Sequence, residues 1–329
     1  MNEDESDRAF DCFAKAYELC KDLEQSELKA KCLFLMGKTY SKTKNSDDYE
    51  RIEYLNKSIK MYEELNLHNQ NKEYAMCFYY KSSCLQWLEK FEESSLEFDK
   101  FLNLLDKMNI DVCKEKAVCL VDQTYNFFKL KKYQDCVQTG LKALEIYNQA
   151  NLGRSYDAGR CLKHMAESSG YLQDSANFIG YYERALDIFR ERLIKHKIIA
   201  FSLKKLSAAY GKNGQREKQL EFALEALKTY RDPSLIDEWI NTEEMANTYV
   251  YVADAYRANS NGLIGYHNLA RNNYELALKF YKTNQNLYEN EIRKIKYKLS
   301  SMNRQKPESS WRRNEMSDLG DSIRKLNLN

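Results

Sequence analysis

The residues that come nearest to a catalytic arrangement in this sequence are Cys161 and His164. Residues three apart share one side of a helix, and an imidazole there can accept the thiol proton and generate a nucleophilic thiolate. The neighbours favour a different role, because Leu162 and Met165 continue an apolar stripe in which a packed thiol is the usual occupant. We therefore interpret Cys161 as a core residue and assign no catalytic residue.

Metal, cofactor and phosphate sites have no support in the sequence. The four histidines are His68, His164, His196 and His267, and no two of them have the spacing of zinc ligands on one helix. Glycine-rich phosphate loops, the G-x-S-x-G nucleophile turn and the H-E-x-x-H metalloprotease motif are absent from the sequence. We predict no metal, no cofactor, no small-molecule substrate and no enzymatic activity.

Charge and composition argue against several other classes of protein. The 51 Lys and Arg residues nearly balance 49 Asp and Glu residues, so the net charge of +2 gives little attraction to nucleic acid. Stacking on nucleic acid needs exposed aromatics among basic residues, whereas many of the 25 tyrosines recur at packing positions. The acidic start MNEDESDRAF has no signal-peptide core, and no apolar run is long enough to span a membrane.

The cysteines indicate a reducing compartment. Nine are present, an odd number without C-x-x-C spacing, and most lie among apolar helix positions. Free thiols of this kind are typical of intracellular proteins. We predict a cytoplasmic protein, with the nucleus as the alternative.

The elements that position these residues are helices. Only Pro233 and Pro307 and eleven scattered glycines could break them, so the chain is expected to be all-α. One segment recurs along the chain: a small residue, an aliphatic residue, and usually an aromatic four positions after the small one. The anchors lie at positions 16, 58, 101, 143, 185, 226 and 277. Steps of 41 to 43 residues, with a last step of 51, indicate a solenoid of repeats.

A second small residue, about 19 residues before each anchor, identifies each repeat as a pair of helices. A small side chain at this position allows the two helices to approach closely. An aromatic or aliphatic residue three positions before the anchor is expected to wedge into the next pair, except where Gly140 and Ala223 occur. The second small residues are Gly37, Ser82, Thr124, Ala166, Ser207 and Ala253.

Two repeats show the pattern most clearly. They read Leu206-Ser207-x-x-Tyr210, Gly214 and Ala226-Leu227, then Val252-Ala253-x-x-Tyr256, Ala270, Tyr274 and Ala277-Leu278. These residues resemble the tetratricopeptide repeat, and the resemblance covers residues 9 to 302. The period near 42 instead of 34 adds about one turn per helix and is similar to kinesin light chain, Partner-of-Inscuteable and rapsyn. The resemblance implies a right-handed superhelical solenoid, here of about fourteen antiparallel helices.

We divide the chain into three parts. Residues 1–8 are an acidic extension, residues 9–302 form the helical-repeat domain, and residues 303–329 form a flexible tail. The repeat domain would begin with a half unit at Ala9, continue with six helix pairs and end in a capping helix over residues 286–303.

Two insertions and the tail interrupt the pattern. Ser46 to Tyr54 is expected to lengthen the turn or the second helix of the first full pair, and Asn259 to Tyr266 the turn of the sixth pair. Each insertion is either a tolerated loop or a loop that contacts a partner. Apolar residues at helical spacing in the tail predict a short amphipathic helix that docks on the solenoid or on a partner. The alternative is an unstructured end with chance periodicity. These apolar residues are Met316, Leu319, Ile323 and Leu326.

The resemblance also implies a partner groove, because the first helix of each pair faces inward in tetratricopeptide proteins. Chaperone-binding members grip a terminal carboxylate with lysine and asparagine at these positions, and this chain lacks the asparagines. Aromatics in the N-terminal half and lysines in the C-terminal half instead suit an extended peptide with an apolar anchor and acidic flanks. The alternative is that the lysines only solvate a helix face. The predicted groove residues are Lys38, Tyr79, Tyr125, Phe128, Lys163, Lys204 and Lys212.

We therefore predict a non-enzymatic scaffold or adaptor that binds a peptide or helical segment of one or more partner proteins. The alternative is a constitutive structural subunit of a larger complex, including a nuclear one. The two differ in solution, because a subunit should aggregate when expressed alone, whereas an adaptor should be monodisperse.

Overall fold

The computed structural model describes residues 3–20, 26–39, 48–68, 71–193, 196–232, 242–260 and 263–304. Over these ranges the protein is all-α, without a strand, as the sequence predicts. The helices are α1 (Glu3–Leu19), α2 (Glu27–Thr39), α3 (Asp48–Glu64), α4 (Lys72–Trp87), α5 (Phe91–Lys107), α6 (Lys114–Lys129), α7 (Tyr133–Gln149), α8 (Tyr156–Tyr171), α9 (Ser175–Arg192), α10 (Lys197–Lys212), α11 (Arg216–Tyr230), α12 (Thr242–Ala258), α13 (Ile264–Tyr281) and α14 (Glu289–Arg304), with a short 3-10 segment at Lys282–Asn284.

The helices form two compact units, Met1–Gln173 and Asp174–Asn329. We call them unit 1, which holds α1 to α8, and unit 2, which holds α9 to α14. The predicted repeat domain of residues 9–302 is thus divided, and α8 and α9, which the repeat assigns to one pair, belong to different units.

Helices pack in the pairs that the repeat predicts. In unit 1, α2 packs on α3, α4 on α5 and α6 on α7, and in unit 2, α10 packs on α11 and α12 on α13. The anchor residues Ser58, Ala143 and Ala277 are completely buried. A Cβ on Gly37 would lie 2.6 Å from Cγ of Leu55, so α2 and α3 approach too closely for a side chain there.

One of the two repeats that lack a wedge residue, the repeat with Gly140, fills the space from the neighbouring helix. A Cβ on Gly140 of α7 would lie 2.5 Å from Sδ of Met165 on α8. Met165 is itself fully buried, which suits the adaptable packing of a thioether. The gap in the sequence pattern is therefore a packing contact and not a break in the repeat.

Left-handed residues end many of the helices. At Lys131 (φ 61°), the N–H of Lys131 donates to the carbonyl oxygen of Phe128 and the N–H of Lys132 to that of Phe127, at 3.1 and 2.8 Å. These two bonds satisfy carbonyl groups left over at the helix end and reverse the chain within two residues. The same conformation occurs at Asn66, Glu89, Asn109, Lys131, Asn151, Gln173 and Gly214.

The first helices of successive pairs begin at side-chain caps. Asn71 Oδ1 accepts from the N–H of Tyr74 at 3.0 Å, and Ser155 Oγ accepts from the N–H of Ala158 at 3.2 Å. Such caps satisfy a backbone donor that has no partner within the helix. Helices α5, α7 and α11 instead follow directly on a left-handed residue and have no side-chain cap.

Helix ends differ from the prediction in two places, whereas the first insertion lengthens the second helix of its pair, which is one of the two forms expected for it. The first helix begins at Glu3 and not at Ala9, so the segment expected to be an extension is helical from there. The first insertion enters α3 from Asp48 onward, and the second enters α13 at Ile264. Residues 305–329, which include the predicted tail helix, lie outside the described residues.

The predicted capping helix is present as α14. Its residues Ile292, Ile295 and Met302 are buried in the core of unit 2. Leu287, which was expected on the same face, is 71% exposed because it precedes α14. Among the described helices, none has the length and apolar character needed to span a membrane.

Candidate functional site

Cys161 and His164 do not form an open catalytic pair. Cys161 is completely buried on α8, with Sγ 3.5 Å from the carbonyl oxygen of Gly140 on α7. His164 is also buried, and its Nδ1 lies 3.1 Å from Oγ1 of Thr124 on α6. Burial lowers the pKa of His164 well below its usual value, so the imidazole is neutral at physiological pH. The two side chains contact different helices and neither is open to a substrate.

The other cysteines are mostly core thiols. Seven of the nine are buried, and burial raises the pKa of Cys77 and Cys84 to about 12, so both remain protonated. Cys12 is exposed, and Cys113 caps α6 through a hydrogen bond from the N–H of Lys116 to Sγ at 3.3 Å. Within the described part of the chain, no group of three or more His, Cys, Asp or Glu side chains converges on a point that could hold a metal.

The first helices of unit 1 form a continuous row. Helix α2 contacts α4, α4 contacts α6, and α6 contacts α8. We call the surface presented by these four helices the first-helix face. It carries five of the predicted groove residues, Lys38, Tyr79, Tyr125, Phe128 and Lys163.

Tyr79 is a structural contact within this row. Its ring packs against Phe98 and Phe101, with centroids 5.9 and 5.6 Å apart, and its hydroxyl donates to Oδ2 of Asp122 at 3.2 Å. Burial raises the pKa of the phenol, and the Asp122 carboxylate raises it further. The position corrects the expectation that Tyr79 is presented to a partner, because its hydroxyl and ring are both used between α4 and its neighbours.

Asp122 connects three first helices. It accepts from Tyr79 of α4, and its Oδ1 lies 3.1 Å from an amino group of Arg160 on α8, which also pairs with Asp157 at 3.1 Å. Burial raises the pKa of the Asp122 carboxyl, and Arg160 opposes that effect. Since a buried carboxylate is costly without partners, this arrangement holds α4, α6 and α8 in one register.

A second link, beside the first, joins α4 and α6 and continues to α5. Gln86 Nε2 donates to Oδ1 of Asn126 at 2.7 Å and to the backbone oxygen of Asp122 at 2.8 Å. Asn126 Nδ2 in turn donates to Oγ of Ser94 at 2.9 Å. These amides are satisfied within the protein and offer little to a ligand.

Ion pairs continue the row toward the beginnings of the helices. Lys31 Nζ lies 3.2 Å from Glu73, and Lys72 Nζ lies 2.8 Å from Glu115, so each pair joins one first helix to the next. The hydrogen bond from Lys72 lowers the pKa of Glu115 below its usual value. Both pairs are partly exposed, where such contacts are weak, and they set the register more than the stability.

Lys38 and Lys163 differ in how open they are. Lys38 is exposed, and its Nζ lies 6.0 and 5.7 Å from the ring centroids of Phe34 and Tyr80. The side chain of Lys163 is only 22% exposed and its Nζ lies 3.3 Å from Oε2 of Glu167. Lys38 therefore offers a positive charge to solvent, whereas the charge of Lys163 is largely balanced.

Tyr125 and Phe128 belong to a group of aromatic rings at the ends of the first helices. Both are half-buried on α6. The ring centroid of Tyr125 lies 5.9 Å from that of Phe91, and Phe128 lies 6.2 Å from Tyr133 and 6.0 Å from Tyr171. Tyr133 and Tyr171 are stacked, 4.5 Å apart and within 2° of parallel. We call these five residues the aromatic edge.

Lys204 in unit 2 is buried and not presented to a partner. Its side chain is 6% exposed, and its ammonium group pairs with Glu244 of α12. Three rings surround it, those of Phe201, Tyr230 and Tyr251, at 5.7, 5.9 and 5.9 Å from Nζ. The expectation of a groove lysine is wrong for this residue, because cation–π contacts and the ion pair use its charge inside the unit.

Lys212, the remaining predicted residue, is exposed as the last residue of α10. Trp87, Lys129 and Tyr171 end α4, α6 and α8 in the same way, each 42 residues after the previous one. Sequence reasoning named Tyr125 and Phe128 but missed the other members of the aromatic edge, because Tyr133 and Tyr171 are far apart in the chain. Extending the repeat comparison to the last residue of each first helix would have pointed to it.

Comparison with known sequences finds no match. No family model matches this sequence, and no curated protein does either.

Solved structures do match. The C-terminal part of a TPR repeat-containing protein from Cytophaga hutchinsonii is 16% identical, with a TM-score of 0.55 over 85% of this chain and 89% of that one. A putative kinesin light chain with nearly identical TPR-like repeats, from Podosopora anserina, is 14% identical, with a TM-score of 0.52 over 65% and 99%. Aspartyl phosphate phosphatase F from Bacillus subtilis is also 14% identical, with a TM-score of 0.53 over 90% and 76%.

Paired helices, buried small anchors and these similarities agree with the period near 42 in the sequence. The chain has the fold of the tetratricopeptide-repeat proteins, in its long-period form.

Proposed function

We propose that this protein is a non-catalytic scaffold that holds a segment of a partner protein against unit 1. The observation that carries the proposal is the continuous row of α2, α4, α6 and α8, which presents one surface built from four repeats. A surface of this kind can follow an extended peptide or a helix over several turns. Lys38, Tyr125 and Phe128 are the predicted residues in unit 1 that remain open enough to contact it.

The partner segment has an apolar anchor with acidic flanks. Aromatic side chains are common anchors in protein interfaces because they bury a large area with little loss of entropy. Tyr125 and Phe128 supply that area, and Lys38 supplies a positive charge for an acidic residue. In unit 2, Lys212 is the predicted residue that remains exposed.

Nucleophilic catalysis by Cys161 does not fit the surroundings of this residue, since its thiol and the imidazole of His164 are both buried. The phosphatase named among the similar structures shares the fold at 14% identity, and its activity is a property of that protein. The buried thiols suit a reducing compartment, and we place the protein in the cytoplasm, with the nucleus as the alternative.

The second candidate is a constitutive subunit of a larger complex. It is favoured by large apolar side chains that are open to solvent, with Trp87 76% and Leu96 63% exposed. A subunit would aggregate when expressed alone, and a scaffold would elute as a single species. Size-exclusion chromatography with light scattering distinguishes the two.

The test of the scaffold is quantitative affinity purification with a charge-reversed variant. Lys38→Glu with Lys163→Glu changes the first-helix face, and Lys60→Glu with Lys142→Glu makes the same charge change on α3 and α7. We expect the first variant to lose partners that carry acidic segments and the second to retain them. Equal recovery of all partners by the two variants would show that the first-helix face does not bind them.

A further inference from the structure

The aromatic edge is a built surface and not a chance exposure of rings. Tyr133 begins α7 and Tyr171 ends α8, and their parallel rings stack at 4.5 Å. Phe128 lies against both of them, so three rings from three helices form one cluster. Tyr171 nevertheless remains 63% exposed. A stacked ring held in place by two others offers a flat apolar surface whose conformation is already fixed.

Three lysines adjoin this cluster in the turn between α6 and α7. Lys129, Lys131 and Lys132 are all exposed, and none forms an ion pair with another described residue. We call them the lysine turn. Lys129 Nζ also lies 5.6 and 5.5 Å from the rings of Phe91 and Tyr125, so its charge is held at the aromatic edge.

The left-handed turn fixes the backbone positions from which these lysines project. Lys131 has φ 61°, and the hydrogen bonds from its N–H and from that of Lys132 close the turn onto α6. Lys132 directly precedes Tyr133, so its backbone adjoins the first residue of the stacked pair. The lysine turn therefore combines fixed backbone positions with charges that no carboxylate of the described chain neutralises.

The charges favour an acidic peptide over a nucleic acid. Exposed carboxylates occur in the first turns of α5 and α7, at Glu92, Glu93 and Asp135, so the uncompensated positive charge is confined to the lysine turn and does not continue along a longer phosphate chain. A short acidic segment needs only the lysine turn itself. One apolar side chain in that segment would cover Tyr171.

We propose that the aromatic edge and the lysine turn together dock an acidic segment of a partner protein that carries one aromatic or branched aliphatic anchor. The inference rests on the proposed scaffold function and moves the anchor from the middle of the first-helix face to its edge. The anchor packs on Phe128 and Tyr171, and flanking carboxylates pair with Lys131 and Lys132. Trp87, 76% exposed at the end of α4, extends the surface by one repeat.

The experiment measures binding of fluorescein-labelled 12-residue peptides by anisotropy. The central residue is Trp, Leu or Ala, and the flanks are all Glu, all Gln or all Lys. We expect the Trp and Leu peptides with Glu flanks to bind with Kd of about 10–100 μM, weakening as salt is raised. Tyr171→Ala should weaken binding about 5-fold to 10-fold. Lys131→Glu with Lys132→Glu should weaken it by about 10-fold or more and remove the salt dependence.

Controls separate this proposal from the scaffold function. The variant Lys60→Glu with Lys142→Glu, which changes exposed lysines on α3 and α7, should bind the Glu-flanked Trp peptide within about 2-fold of wild type. Thermal melting within a few degrees of wild type shows that each variant is folded.

Several outcomes would overturn the proposal. They are no binding by any Glu-flanked peptide, equal binding by Lys-flanked peptides, tighter binding of a 12-nucleotide single-stranded RNA, or edge variants that bind like wild type. If the first-helix-face variant, Lys38→Glu with Lys163→Glu, is the only one that weakens peptide binding, docking at the aromatic edge is refuted and the proposed scaffold function is retained. Affinity purification tests the proposed scaffold function without these peptides, so a failure of the scaffold function can be distinguished from a failure of the docking proposal.

Discussion

The same position of the repeat differs between the two units, and the difference separates structural residues from candidate binding residues. In unit 1 the first helices α4, α6 and α8 end in Trp87, Lys129 and Tyr171, so two of the three end in an aromatic residue, and aromatic rings surround Tyr171. In unit 2, α10 ends in Lys212 and is followed by Asn213 and Gly214. The last residue of the first helix changes its chemical type from repeat to repeat, while the packing positions stay small or apolar. The fold therefore does not require a particular residue there, and the position is available for binding.

The tyrosines at the aromatic edge of unit 1 are used differently from the buried tyrosines of unit 2. In unit 2, Tyr230 and Tyr251 surround the buried Lys204, and Tyr274 donates to Asp254, which pairs with Lys298. In unit 1, Tyr133 and Tyr171 contact each other and face solvent. Aromatic content alone therefore does not indicate a binding surface, because most rings in unit 2 serve the interior.

The largest expected effect tests whether unit 1 depends on Asp122. Asp122→Ala leaves Tyr79 and Arg160 without their shared acceptor, and we expect a loss of about 3 kcal/mol, reduced from the cost of a fully buried pair because Arg160 is partly exposed. Native-state hydrogen exchange should show faster exchange in α4, α6 and α8. The matched change in unit 2, Lys204→Met, should cost about 1–2 kcal/mol, because the Glu244 side chain is 41% exposed and remains hydrated.

An equal loss of protection in α10 to α13 on Asp122→Ala would contradict the assignment of that link to unit 1. A loss under about 1 kcal/mol would show that the carboxyl is not a net stabilising contact.

The next effect is a pH dependence from His164 of unit 1. Its folded-state pKa lies well below its ordinary value because it is buried, so the unfolded chain binds a proton that the folded chain does not. Stability is therefore complete above about pH 7 and falls as the pH is lowered. Between about pH 7.5 and pH 5 we expect a loss of about 2 kcal/mol relative to His164→Asn, measured by urea unfolding. Parallel curves of unfolding free energy against pH for the wild type and His164→Asn would contradict a contribution from His164.

A smaller effect comes from exchanging the residues that distinguish the edges. Tyr171→Lys gives α8 of unit 1 the last residue of α10 of unit 2. We expect about 10-fold weaker binding of the Glu-flanked Trp peptide, which corresponds to about 1.4 kcal/mol of binding free energy. Stability should change by about 0.5 kcal/mol or less, because the side chain is mostly exposed. The reverse change, Lys212→Tyr, should not create a second site, since Tyr133 and the lysine turn, which complete the proposed site, belong to unit 1. Binding by Lys212→Tyr at twice the wild-type stoichiometry would contradict the proposal.

The smallest effect concerns the left-handed turns that both units share. Glu89 of unit 1 has φ 58°, so Glu89→Gly should raise stability by about 0.5–1 kcal/mol. Gly214 of unit 2 has φ 73° and open space around it, so Gly214→Ala should lower stability by about 1 kcal/mol through backbone strain alone. Thermal melting of both variants measures the shifts, and shifts of the same sign would contradict the shared turn geometry.

Much of the fold could be predicted from the sequence because the repeat is local. The anchors at Ser58 and Ala143 are buried as expected, since a small residue every 42 residues is sufficient to place the close helix contacts. The beginning of α1 could not be predicted, because acidic residues from Glu3 onward continue a helix as readily as they form an extension.

The candidate site was less accessible to sequence reasoning. Lys204 occupies a position that resembles an exposed one, and only contacts from Tyr230 and Glu244, far along the chain, bury it. Tyr79 was expected at the groove for the same reason, although its acceptor Asp122 lies in the next repeat. Repeat spacing gives the position of a residue but not the neighbours that use its polar group.

The link through Asp122 has a mechanical consequence. Tyr79, Asp122 and Arg160 connect α4, α6 and α8 across three successive repeats, with a second link from Gln86 to Asn126 beside it. If unit 1 is pulled at its ends, these contacts are loaded together in shear. The three repeats would then yield as one block at a single force, whereas a stack held by apolar contacts alone would peel away one repeat at a time.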